Sequence, residues 1–264
     1  MTVRIDGLRL DWLGYATARI EGPDGTVVYT DPGRYGTLDG TWASEYGGEP
    51  LNLDDAHPSG PAYDANDGDV VVVTHDHHYS DDGIERVASD DATIVVFEAV
   101  SAEGVAANSG RDVVEPEELP YEVERVAYGD GLEIAGVDIE AVPAYNLPDG
   151  PDADPEVDVL HPYDFGCGYL LTIGDQSCLW TGDSDVVPEQ EALDVDVFLP
   201  SIAKSYTMDR REAAAMAEQL DPDLVLPIHY NTFEALGSDS AAFASDVAKR
   251  SVAVALDEGW PADL

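Results

Sequence analysis

Three histidines, His75, His77 and His78, fall within four positions directly after Val70-Val71-Val72-Val73-Thr74, in a chain that holds only six. Four β-branched apolar residues in a row read as a strand buried on both faces. The C-terminal end of such a strand is a rigid support, and α/β folds place chemistry there. His75 and His77 stand two apart, so continued strand geometry points both the same way, and two imidazoles on one side can share one metal ion. Asp183 and His229 also stand at expected strand ends, which makes four potential ligands. Imidazole with carboxylate suits Zn2+ first, with Mn2+ or Fe2+ as alternatives, and an Asp between two positions can bridge one ion to a second. A held cation lowers the pKa of its water toward ~7, making hydroxide available, and can polarise a carbonyl or phosphoryl oxygen. This is hydrolysis without a serine or cysteine nucleophile. No nucleophile elbow, phosphate-binding loop or dinucleotide fingerprint competes with it.

Elements able to position these groups recur along the chain. Val3–Leu10, Tyr15–Ile20 and Thr26–Thr30 read as strands, turning at Asp6-Gly7 and Pro23-Asp24-Gly25. Asp31-Pro32-Gly33 ends the third, and Asp31 there either supports a metal ligand from behind or simply starts a turn. Residues 32–68 are rich in Gly, Pro, Asp and aromatics without a sustained period, which suggests a lid-like insertion. His57, alone in it, reads as an ordinary loop residue. Beyond the histidines come a helix over 81–89, a strand over 92–97, a helix over 99–108 and a short strand at Val113-Val114. Glu122–Ala127 and Leu132–Val142 read as a strand pair turning at Asp130-Gly131. Gly168–Ile173 and Cys178–Trp180 read as a hairpin, and Val195–Leu199 as a buried strand. Asp209 caps a helix to Leu220 in a box-like pairing with Glu212. Leu224–Ile228 delivers His229, and 240–250 closes with a helix. Strands, then alternation, then strands, then alternation suggest two similar β/α halves packed sheet to sheet, helices outside. No linker composition divides them, so residues 1–264 read as one domain.

The charge is extreme: 55 acidic against 12 basic residues, net −43, with Lys204 and Lys249 the only lysines. The acids are spread and form no tail. Such a surface suits a halophile, since at ~1 M salt the Debye length is about 3 Å and self-repulsion is screened. The charge argues against nucleic acid as a partner. No apolar run approaches the ~18 residues that span a bilayer, and the first residues hold no apolar export segment. The chain therefore reads as soluble and cytoplasmic. Cys167 and Cys178 read as small buried residues rather than a disulfide.

In order along the chain stand Trp12-Leu13-Gly14-Tyr15-Ala16, Asp31-Pro32, Thr74-His75-Asp76-His77, Pro143-Ala144-Tyr145-Asn146, His161-Pro162, Thr181-Gly182-Asp183, Tyr206-Thr207-Met208 and Pro227-Ile228-His229-Tyr230. This series resembles the metallo-β-lactamase-fold hydrolases. Within them it is similar to the metal-dependent hydrolases related to ascorbate-6-phosphate lactonases. The resemblance implies an α/β fold (α+β by some schemes), the four-layer αβ/βα sandwich, with the site in the cleft between the sheets. It implies that His75, His77, Asp183 and His229 are metal ligands for one or two ions, and that the substrate is a small ester, lactone or phosphoester. A non-catalytic metal-binding descendant and a phosphodiesterase or nuclease are the alternatives.

The chain departs from the family's His-x-His-x-Asp-His motif, since His78, Tyr79 and Ser80 follow His77. Ungapped, both ligands of a second metal are lost. With two residues deleted, His78 takes the last histidine's place and only the Asp is missing, which the positions of Ser80 and Ile84 favour. Asp81 or Asp82 then stands in for the carboxylate and moves protons. Tyr15 and Asn146 occupy positions where relatives carry histidine, and His161 either supplies the ligand Asn146 lacks or is a His-Pro loop residue. Lys204, Asn146 and Tyr206 are the candidates for contacting substrate, Lys204 either binding an anionic group or lying solvated on the surface. A homo-oligomer is compatible with all of this. The acid-rich composition makes one direct prediction: the melting temperature rises between dilute buffer and ~1 M KCl, and a thermal melt indifferent to KCl would remove the halophilic reading.

Overall fold

The computed structural model describes residues 1–42, 57–148, 150, 159–203 and 205–261. Two sheets face each other. The first has seven strands in chain order: β1 (Val3–Ile5), β2 (Leu8–Gly14), β3 (Thr17–Glu21), β4 (Val27–Thr30), β5 (Gly68–Val73), β6 (Ala88–Phe97) and β7 (Glu122–Val126). The second has six, ordered β13 (Leu224–Val225), β12 (Val197–Leu199), β11 (Gln176–Trp180), β10 (Gly166–Ile173), β9 (Val137–Ala144) and β8 (Gly131–Ile134). Short tight turns make β1 to β4 antiparallel, while β4 to β7 run parallel. The crossovers carry α1 (Asp81–Val87) and α2 (Ala102–Ser109); α3 (Pro188–Glu191), α4 (Arg210–Leu220) and α5 (Ser240–Ala248) belong to the second half.

Val70 to Val73 are all wholly buried, as a β-branched run in a central parallel strand requires. They lie between β4 and β6, in one core with Tyr169, Leu171, Leu179 and Trp180 of the second sheet. Tyr169 reaches across to donate to the Val73 carbonyl at 3.0 Å. The end of β5 is therefore fixed from both sides, and that end is Thr74-His75.

Three sequence readings are corrected. Glu122–Val126 does not pair with the strand that follows; β7 closes the edge of the first sheet, parallel to β6. The expected strand over 132–142 is broken at Ala135 (φ 51°) and Gly136 (φ 78°), so β8 and β9 form their own hairpin in the second sheet. The Asp130-Gly131 signal marks a crossing between sheets rather than a hairpin tip. Val113-Val114 is not a strand.

Of the insertion, residues 32–42 and 57–68 are described, and Leu38, Trp42, His57 and Tyr63 are buried. His57 stacks 4.0 Å from Trp42 and edge-on to Trp12, and burial pushes its pKa down to about 3. Among the described residues no helix is long and apolar enough to cross a membrane. Cys167 and Cys178 are free and buried. The capping box of α4 is present: Asp209 accepts from the Arg211 and Glu212 amides and Glu212 accepts from the Asp209 amide. Asp209→Ala is therefore expected to cost ~1 kcal/mol of stability, measured by denaturant unfolding in KCl.

Candidate metal centre

His75, His77 and His78 lie in the turn that ends β5. The His78 amide donates to the His75 carbonyl at 3.0 Å, which folds the chain back and brings the third imidazole in beside the first. His161 lies in the loop between β9 and β10, and Asp183 follows β11. His229 follows β13 with φ 57°. Asp31 (φ 38°), Tyr15 (φ 49°) and Tyr206 (φ 68°), also non-glycine residues in left-handed backbone, are the site's other special positions. Such conformations persist only where the surroundings over-determine them.

Four imidazoles, those of His75, His78, His161 and His229, converge on the Asp183 carboxylate, and His77 joins them through His161. Its Oδ2 lies 3.6 Å from His75 Nε2 and 3.7 Å from His161 Nε2, and His161 Nε2 is 3.1 Å from His77 Nδ1. Its Oδ1 lies 3.5 Å from His78 Nε2 and 3.4 Å from His229 Nε2, which are 3.1 Å apart. The candidate ligand atoms of His75, His77 and His161 fall within 4.8 Å of one another, as do those of His75, His78 and Asp183.

Outside this centre the second ring nitrogen of four histidines is held. His78 Nδ1 meets Asp31 Oδ2 at 3.0 Å, and His75 Nδ1 meets Thr74 Oγ1 at 2.9 Å. His161 Nδ1 meets Asn146 Oδ1 at 3.0 Å, and His229 Nδ1 meets Ser201 Oγ at 3.2 Å. Such outer bonds fix ring orientation and tautomer. The carboxylate of Asp31 and the amide oxygen of Asn146 can only accept, so His78 and His161 present bare Nε2 lone pairs inward. Asp31 is itself completely buried and also accepts from the Thr74 amide (2.8 Å), Thr74 Oγ1 (2.9 Å) and Trp180 Nε1 (2.8 Å).

Burial sets the electrostatics. It holds His77 down to about 4 and His161 and His229 down to about 3, with His75 and His78 also well below their ordinary value. Burial raises Asp31 to about 7 and pushes Asp183 well above the usual carboxylate range. With neutral rings, the His–Asp183 approaches are not ion pairs. His75 Nε2 and Asp183 Oδ1 are buried without any hydrogen-bond partner. Lone pairs crowded at 3.1 Å and orphaned buried acceptors are costly on their own. A cation among them satisfies all of them at once, so the donor set fits a divalent metal.

Of the expected site residues, His75, His77, His78, His161, Asp183 and His229 are brought together. Asp81 and Asp82 are not: Asp81 Oδ2 accepts from the Val114 amide and Asp82 Oδ2 from Arg86, on the outer start of α1. The helix cap at Ser80 turns both outward, and neither stands in for the missing carboxylate. Asn146 spends its side chain on His161, Tyr206 and Asp185 rather than facing the cleft. Tyr206 is exposed, with its ring 6.5 Å from that of His161. Lys204 lies outside the described residues. Sequence reasoning passed over Arg34, which donates to the His77 carbonyl. It lies in an aperiodic loop, where no spacing signal could single it out.

Two facing sheets with a six-residue imidazole and carboxylate centre at their strand ends are the metallo-β-lactamase fold with a metal site. Residues 9–229 match the model of the β-lactamase superfamily domain, and the chain belongs to that superfamily as a metal-dependent hydrolase. It is similar to the UPF0173 metal-dependent hydrolase of Methanopyrus kandleri, 27% identical over 247 residues that cover 91% of each chain. In fold it is similar to the structure of a protein assigned as a metal-dependent hydrolase from Parabacteroides distasonis (TM-score 0.64, 21% identity, 98% and 97% covered). It is likewise similar to Igni18, a metallo hydrolase from Ignicoccus hospitalis (TM-score 0.60, 18% identity, 94% of each covered).

Asp31→Asn replaces an acceptor-only group with one that has two donors, so it cannot serve Thr74, His78 and Trp180 together. The expected result is a loss of ~1–3 kcal/mol of stability and a lowered zinc content per chain, read by denaturant unfolding and elemental analysis.

Proposed function

We propose that this chain hydrolyses a small ester, lactone or phosphoester with the help of one or two divalent cations, Zn2+ first and Mn2+ or Fe2+ as alternatives. The observation that carries this reading is Asp183, whose two carboxylate oxygens each turn to a different pair of histidines. His75, His77, His161 and Asp183 Oδ2 would hold one ion, and His78, His229 and Asp183 Oδ1 a second. A bound cation supplies Lewis acidity and acidifies water at neutral pH. The residues around it do the rest. Asp31 keeps the proton on His78 Nδ1 and so keeps Nε2 available. The Tyr15 ring, 5.0 Å from His78 and 4.5 Å from His229, covers that half and excludes water. The lactonase-like substrate class, a salt-rich cytoplasm and a small-molecule rather than nucleic-acid substrate belong to the same reading. The net charge of −43 supports the last of these.

A second reading has a specific observation in its favour. The His78/His229 half has no second carboxylate among the described residues, so a metal-binding descendant without turnover is the competitor. The deciding experiment is a screen of lactones, esters and phosphodiesters in ~1 M KCl, with metal content measured on the same sample. Turnover that disappears with chelator and in His75→Ala is expected. Metal-loaded protein that turns over none of the three classes would favour the competitor.

A further inference from the structure

Arg34 follows Asp31-Pro32-Gly33 in the turn after β4. Gly33 (φ 89°) is pressed against Gly83 of α1, where a Cβ would collide, so the turn is fixed in place. The guanidinium is fixed as well. It donates through Nη1 to the carbonyl of His77, and its carbon lies 4.4 Å above the centre of the Tyr35 ring. Its Nε is buried and makes no hydrogen bond.

Its surroundings differ from those of most of the chain's cations; Arg111, which also donates to carbonyls of the histidine turn, is another without a carboxylate partner among the described residues. Arg9, Arg19, Arg86, Arg125, Arg210 and Arg250 each pair with a carboxylate. Arg34 pairs with none among the described residues, although acids outnumber bases 55 to 12. Through Nη1 it instead reaches the His77 carbonyl, beside the histidine and Asp183 cluster. The guanidinium is thus a cation placed against the histidine turn in a chain whose net charge is −43. A guanidinium presents its N–H groups as a planar fork that matches a carboxylate or phosphate, and one already held in place loses less freedom on binding.

We propose that Arg34 determines specificity by binding an anionic group, carboxylate or phosphate, of the substrate while its scissile bond lies at the histidine and Asp183 cluster. The substrate class is thereby narrowed to small anionic esters, lactones or phosphoesters. This rests on the hydrolase reading above, and the test has two arms so that the two can fail separately.

The first arm uses chelated, metal-free protein and reads no turnover. Inorganic phosphate and acetate are titrated separately into wild type and R34Q in KCl, with the melting temperature followed. Wild type is expected to be stabilised by at least one of the two anions, which identifies the anion class, and R34Q by neither. Wild type stabilised by neither, or R34Q stabilised equally, overturns the proposal. The second arm compares p-nitrophenyl hydrogen succinate with p-nitrophenyl butyrate on zinc-loaded wild type, R34K and R34Q, with zinc content measured. The ratio of kcat/KM for the anionic over the neutral ester is expected to fall about tenfold or more in R34Q, with R34K between. If Arg34 merely holds the His77 carbonyl, both esters suffer alike and the ratio stays put, which overturns the proposal. If wild type hydrolyses no ester, the hydrolase reading is in difficulty, and the anion titration still decides Arg34.

Discussion

A single buried carboxylate, Asp31, holds the two halves of the site in register. It stands at the end of β4 with no exposure to water, in a backbone conformation that non-glycine residues seldom adopt. Its oxygens accept from Thr74 and His78 at the end of β5 and from Trp180 at the end of β11. One group thus ties the first sheet to the second and also fixes the ring of His78. A buried carboxylate with several donors is costly to leave half-satisfied, so this network behaves as a unit. The position of His78, and through it of His229 and Asp183, follows from that unit.

The site is a local inversion of the molecule's electrostatics. The surface carries a large negative charge, yet the cleft collects neutral imidazoles, one carboxylate among them and an arginine without an acidic partner among the described residues. Desolvation produces the inversion. Inside the cleft the charged form of each histidine is disfavoured, so the rings stay available as ligands far below their ordinary pKa. The same desolvation makes Asp183 a strong partner for a cation. Screening by salt, which governs the surface, reaches such buried groups weakly.

The departure at the histidine motif has a structural resolution. The turn after His75 is short, and the His78 amide bonds to the His75 carbonyl to close it. Asp31 anchors the far nitrogen of His78 and so sets its ring. No carboxylate of α1 enters the cluster, because that helix begins immediately and spends Asp81 and Asp82 on Val114 and Arg86. Asn146 likewise anchors the ring of His161 through its side-chain oxygen.

Much of this was legible in the residues themselves. The valine run, the turn dipeptides of the first strands and the Asp209–Glu212 box are local signals, each set by backbone preference or a contact within one turn. The histidines stand out for a local reason too, since the β-branched run marks the strand and where it stops, although His75, His77 and His78 lie in the turn after it and not along it. Other features depend on partners far away in the chain. Whether β7 joins the strand before or after it is decided by which sheet has a free edge, not by its own residues. Whether His161 is a ligand is decided by Asn146 and His77, at 15 and 84 residues' distance. Arg34 has no periodic signature, and only the fold sets it against His77. Residue types and local spacing thus determined the elements, the core and the kind of chemistry. The convergence of four imidazoles on Asp183, and the arginine beside them, was decided by tertiary packing, because contacts between distant segments leave no trace in short-range pattern.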